Sequence, residues 1–125
     1  QPELAIWFPL DDASSASGTL QIIPKSHKNG MIGDGHMLAP EKEVQYAPNS
    51  QIVDVEIKAG DCLFFHPALL HRSGVNRTDT SRRAINVILM AGAAKHTVKN
   101  SPYPLLFGDK KVASHSLDKI HKLPG

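Results

Sequence analysis

The chain has 125 residues, 41% of them apolar and 21% charged, which suits one globular domain and argues against a disordered chain. Fourteen Lys and Arg against twelve Asp and Glu leave a net charge of +2; the basic residues are scattered and aromatics are 6%, so no nucleic-acid partner is expected. No apolar run reaches the roughly 18–20 residues of a membrane span, and the single cysteine, Cys62, excludes an intrachain disulfide and fits a reducing, cytoplasmic setting.

Gln1 is not an initiator Met, and neither a charged leader nor a cleavage site follows it, so the chain is expected to begin inside a domain. Leu4, Ile6 and Phe8 alternate with Glu3, Ala5 and Trp7 up to Pro9, predicting a strand over 4–9. Asp11 to Gly18 reads as a turn, and residues 19–23 as a second strand stopped by Pro24. Residues 25–50 carry no helical or strand period and are expected to form a long loop over a site. Further strands are expected at 52–57, 61–66 and 84–90, with a polar loop over 72–81. Residues 112–123 have the pattern of one short basic helix.

Short strands, turn-rich spacers and little helix predict a mainly all-β sandwich or barrel. A lone sheet of five strands leaves its edges unpaired. Either those edges meet a second copy of the chain, giving a homo-oligomer, or part of the barrel lies outside this sequence.

Seven histidines are present, but none has zinc-finger or HExxH spacing, and Cys62 has no histidine base at a recognisable offset. No nucleophile elbow, phosphate loop or dinucleotide fingerprint occurs. One stretch stands above this background: Gly60-Asp61 opening a predicted strand, then His71-Arg72-Ser73-Gly74-Val75-Asn76, with Arg82 eleven residues after His71. Upstream lie Trp7-x-x-Leu10-Asp11-Asp12, Ser17-Gly18-Thr19-Leu20 and Ile23-Pro24-Lys25-Ser26-His27-Lys28. In order and spacing these resemble the phytanoyl-CoA dioxygenase family of iron(II)/2-oxoglutarate oxygenases over residues 4–92, leaving 93–125 as an unassigned tail of the single domain 1–125. Ser17 stands where the family has Asn, and Lys25 where it has Gly.

The resemblance implies an incomplete double-stranded β-helix, the jelly-roll or cupin-like barrel. It implies Fe(II) as metal, 2-oxoglutarate as cosubstrate, and dioxygen and a small organic molecule as reactants. His71 takes the place of the distal metal ligand, and Arg82, Ser73 and Trp7 take the cosubstrate positions. The reaction converts 2-oxoglutarate to succinate and returns a hydroxyl to the substrate; relatives lacking the carboxylate ligand chlorinate instead, and the sequence leaves both open. A facial triad needs two histidines and one carboxylate. No His-x-Asp occurs in this sequence, so the chain is expected to be the C-terminal part of such an enzyme, inactive alone. Asp11 and Asp12 are weak substitutes, because paired aspartates in a turn are usually solvated.

Strand geometry adds expectations beside those the resemblance implies. His71 ending one strand and Arg82 opening the next would make them near cross-strand neighbours in an antiparallel pair. A guanidinium suits the far carboxylate of 2-oxoglutarate because it can bind it bidentately. Strand alternation lets only one of Arg82 and Arg83 face inward. The apolar residues Ile85, Val87 and Leu89 favour Arg83, whereas the family spacing favours Arg82, which is taken here. In the long loop, Lys25, Lys28, His36 and Tyr46 are candidate substrate contacts, weighed against plain solvated residues. Two other classes remain beside the oxygenase: a non-catalytic β-sandwich binding module and a cupin-type metal-dependent isomerase.

Overall fold

The computed structural model describes residues 2–33 and 37–91; residues 92–125, with the helix expected at 112–123, lie outside the described residues. Six strands are present: β1 (Pro2–Pro9), β2 (Leu20–Ile22), β3 (Val53–Val55), β4 (Leu63–Phe65), β5 (His71–Ser73) and β6 (Ala84–Met90). They form two three-stranded sheets, ordered β4-β1-β6 and β3-β2-β5. The chain passes from one sheet to the other between β1 and β2 and at each step from β3 to β6, which is jelly-roll wiring. The sheets are open at their edges among the described residues, in keeping with the incomplete double-stranded β-helix that the resemblance implies.

The unit described below is Pro2–Leu89. Its core comes from both sheets: Ala5 and Trp7 of β1, Phe65 of β4 and Leu20 of β2 are buried together with Ala13. Register explains the grouping. Ala5 lies opposite Phe65 and Trp7 opposite Leu63, so one face of the β1/β4 pair presents all four to the second sheet. In that sheet β2 is central, with Leu20 opposite both Val55 and Ser73.

Two expectations change. Residues 25–50 are not a plain loop: they hold a 3₁₀ turn at Ser26–Asn29 and a seven-residue helix, α1 (Pro40–Tyr46). Pro40 sits at the first helical position, where its missing N–H costs nothing, and Glu41 and Glu43 lie in the first turn, where the helix dipole favours negative charge. No α1 residue is buried, so no apolar period marked the helix in the sequence. The second change concerns His71 and Arg82. β5 and β6 belong to different sheets, so the two residues are not cross-strand neighbours. The ten-residue connection between them crosses from one sheet to the other instead of closing a hairpin.

Candidate functional site

His71 opens β5, and Ser73 shares its face. The His71 ring meets Phe65 edge-on, with centroids 4.9 Å apart. Its Nδ1 lies 2.7 Å from the Leu69 carbonyl oxygen. A carbonyl oxygen only accepts, so in the neutral ring Nδ1 carries the proton and Nε2 keeps its lone pair. Backbone thus fixes the tautomer that a metal-ligating imidazole needs.

The arginines that follow are sorted by strand alternation. Arg83 is exposed and grips Asp11 through two guanidinium bonds of 2.9 and 2.8 Å, and its backbone N–H adds a third at 2.8 Å. These bonds hold the Asp11 carboxyl well below the usual carboxylate range and raise Arg83. Arg82 turns the other way. Its Nη2 donates to the Gly18 carbonyl at 2.8 Å, and its Cζ lies 5.5 Å from the Trp7 ring centroid. Its Nε is buried with no hydrogen-bond partner among the described residues. Ala84, on the same face, packs against the core, and Asn86 and Ile88 line a cavity. Exposure does not separate the two faces, since Ile85 and Ile88 are both about half exposed and Asn86 is exposed, whereas Val87 and Leu89 are half-buried; the face of Arg82 is the one whose residues line the cavity.

Ser73 is tied to this end of the sheets through its neighbours. Gly74 N–H donates to the Thr19 carbonyl at 2.8 Å, and Leu20 pairs with Ser73. Gly18 has φ +77°, and a Cβ there would lie 2.7 Å from both Asn76 N and Gly74 O. The Ser17-Gly18-Thr19 and Ser73-Gly74-Val75-Asn76 stretches are thus two halves of one close backbone contact, and that contact holds the carbonyl which Arg82 uses. Asn76 itself organises its loop: Oδ1 accepts from Thr78 N and Oγ1, and Nδ2 donates to the Thr80 carbonyl.

The cavity has a volume of about 530 Å³. Ala5, Phe65, Ile22 and His71 form its walls, and Met31, Ile32 and Leu38 of the 25–50 segment border it. Lys25, Lys28 and Tyr46 do not line it, and His36 lies outside the described residues. Sequence reasoning missed Arg72, which lines the cavity and ties β5 to α1 by a 3.3 Å contact with Glu43. A polar residue between two site residues carries no signal of its own in the sequence.

A metal and 2-oxoglutarate can be tested against these residues. Among the described residues no cluster of three His, Cys, Asp or Glu could hold a metal, so His71 would supply one ligand. Asp11 and Asp12 are already engaged, the latter with Lys58 at 2.8 Å and the Ala59 N–H at 3.0 Å, which lower its carboxyl. For a carboxylate the group present is Arg82, although neither Arg82 nor Trp7 lines the His71 cavity and Ser73 borders a separate one. Arg82 offers an orphaned buried donor, and an unmade bond of that kind costs about 1–3 kcal/mol until a ligand satisfies it.

The sequence model of the phytanoyl-CoA dioxygenase family (PhyH) matches residues 3–84. The chain belongs to that family. Phytanoyl-CoA dioxygenase 1 of Oryza sativa subsp. japonica is 33% identical over 88 residues, 66% of this chain but 31% of that protein. The chain therefore spans under a third of the length of this family relative. Among solved structures it is similar to the non-haem alpha-ketoglutarate-dependent epimerase SnoN from nogalamycin biosynthesis (25% identity, TM-score 0.57, 87% of this chain and 41% of SnoN). The nickel complex of the non-haem monooxygenase ThoJ is also similar (29% identity, TM-score 0.53, 84% of this chain and 41% of ThoJ). The phytanoyl-CoA dioxygenase family and these two neighbours agree with the jelly-roll wiring of the described strands.

Proposed function

We propose that this chain carries part of the active site of a non-haem iron(II)/2-oxoglutarate-dependent dioxygenase acting on a small organic substrate. The observation that carries this reading is Arg82: inward-facing, laid against Trp7, anchored to Gly18, and holding an unsatisfied buried donor. Family membership and likeness to metal- and 2-oxoglutarate-dependent oxygenases support it.

In this reading Arg82 binds the far carboxylate of 2-oxoglutarate, with Trp7 flanking it and Ser73 as an added hydroxyl donor. His71 presents Nε2 to the metal, its ring steadied by the Leu69 carbonyl and the Phe65 edge. Iron(II) with 2-oxoglutarate and dioxygen supplies the oxidising chemistry when bound. The chain's own part is to anchor, orient and enclose.

Trp7 is the only tryptophan in the sequence, so its emission reports on the Arg82 site. Titrating 2-oxoglutarate into this protein should give a saturable change in that emission. The response should survive Arg83→Gln and disappear in Arg82→Gln. A response kept in Arg82→Gln and lost in Arg83→Gln would overturn the assignment.

A further inference from the structure

The cavity beside His71 has more than one polar wall residue, and they differ in what they are doing. Gln21, Glu43 and Arg72 are committed to partners. Arg72 Nε donates to Gln21 Oε1 at 2.9 Å, Arg72 Nη1 meets Glu43 at 3.3 Å, and Gln21 Nε2 donates to Asp54 at 2.7 Å. Asn86 lines the same cavity, is exposed to solvent, and makes no side-chain hydrogen bond within the described residues. It lies on the face of β6 shared by Arg82, Ala84 and Ile88. The same cavity is lined by the apolar residues Ala5, Phe65 and Ile88.

An amide in such a place is hydrated while the cavity holds water. A ligand that displaces this water must replace its hydrogen bonds or bind more weakly. Asn offers both a donor and an acceptor and no charge. Among the described residues of this wall the two charged side chains, Arg72 and Glu43, engage one another, so neither is an unpaired counter-ion for a charged ligand.

We propose that Asn86 is the specificity-determining residue of this cavity. It selects substrates with a largely apolar skeleton that carry one uncharged hydroxyl or carbonyl group. That group, held by Asn86, sets which carbon of the skeleton faces His71. The proposal rests on the oxygenase reading of His71 and Arg82, and deepens it by naming the substrate class.

A matched pair of probes tests it. 2-Naphthol and naphthalene differ by one hydroxyl, and isothermal titration of each into this protein measures what that hydroxyl adds. One neutral hydrogen bond corresponds to about a 3–10-fold preference for 2-naphthol in the wild type. Asn86→Leu, close in volume, should remove that preference while naphthalene still binds. If Asn86→Leu no longer binds naphthalene, Asn86→Ala is titrated in its place, with the same two outcomes. Equal binding of the two probes by the wild type, no binding of either, or a preference that persists without the amide would each overturn the proposal. The Trp7 response to 2-oxoglutarate reads the underlying site separately. Intact response without discrimination sinks the role of Asn86 alone; discrimination without response sinks the oxygenase reading alone.

Discussion

The guanidinium of Arg82 lies over the Trp7 ring, with Cζ 5.5 Å from its centroid, and joins the start of β6 to the middle of β1. One residue further on, Arg83 points away and holds Asp11. Two adjacent arginines thus have separate tasks, one inside and one outside, and substitutions should separate them.

The outer pair predicts a pH dependence. The Asp11 carboxyl is lowered in the folded state by its bonds to Arg83. A depressed carboxylate contributes stability that is present above its unfolded value, about 3.9, and is lost as pH falls through the lowered folded value. Urea midpoints of the wild type and Asp11→Asn should therefore differ by a constant amount between about pH 5 and 8 and converge below about pH 4. A gap that widens on acidification would contradict the pairing.

Gly18 should tolerate no side chain. Its φ of +77° already disfavours L-residues, and a Cβ would meet the backbone of Gly74 and Asn76 rather than a movable side chain. Left-handed strain and overpacking together predict a loss of about 2–5 kcal/mol for Gly18→Ala in urea unfolding. Because the Gly18 carbonyl anchors Arg82, the variant should also blunt the Trp7 response to 2-oxoglutarate. A loss under about 1 kcal/mol would mean that the contact yields easily.

Much of this fold could be read in the chain because alternation and turn residues agree. β1 and β6 were predicted from patterning, β6 with its limits unchanged, and Pro9 ends β1 as expected. β5 could not be found that way. His71-Arg72-Ser73 has no apolar residue, and the strand exists because β2 supplies its hydrogen bonds. The two faces of β6 could not be ranked by apolar pattern, which favours Ile85, Val87 and Leu89; the family spacing favours Arg82, and the residues of its face, Asn86 and Ile88, line the cavity. No sequence pattern could reveal that the Leu69 carbonyl sets the His71 tautomer, since a carbonyl is common to every residue.

Lys25 offers a substitution in the stabilising direction. It is the sole non-glycine residue with positive φ among the described residues, at +66°. The strain has a use: it opens the 3₁₀ turn that buries Ser26, whose hydroxyl accepts the Leu70 N–H at 2.8 Å and so braces the approach to His71. Left-handed geometry costs a lysine about 1–2 kcal/mol, and glycine gives back part of that in unfolded-chain entropy. Lys25→Gly should raise stability by roughly 0.5–1 kcal/mol in urea unfolding. Ser26→Ala should lower it by about 1–3 kcal/mol, because the half-buried Leu70 N–H loses its acceptor.

His71 yields a prediction that spectroscopy can check without a substrate. With Nδ1 donating to the Leu69 carbonyl at 2.7 Å, the neutral ring must be the Nδ1–H tautomer. Long-range nitrogen–proton correlation spectra of the protein at neutral pH should show that form. In them Nε2 should have the shift of an unprotonated ring nitrogen. Adding Zn²⁺ as a diamagnetic metal should move the Nε2 resonance first, since that nitrogen alone has a free lone pair. His71→Gln should abolish the shift and weaken Zn²⁺ binding at this position by 10-fold or more, about 1.4 kcal/mol. An Nε2–H tautomer in the metal-free protein would mean that the Leu69 carbonyl does not orient the ring. Zn²⁺ titration that left the His71 signals unmoved would remove His71 from the metal site.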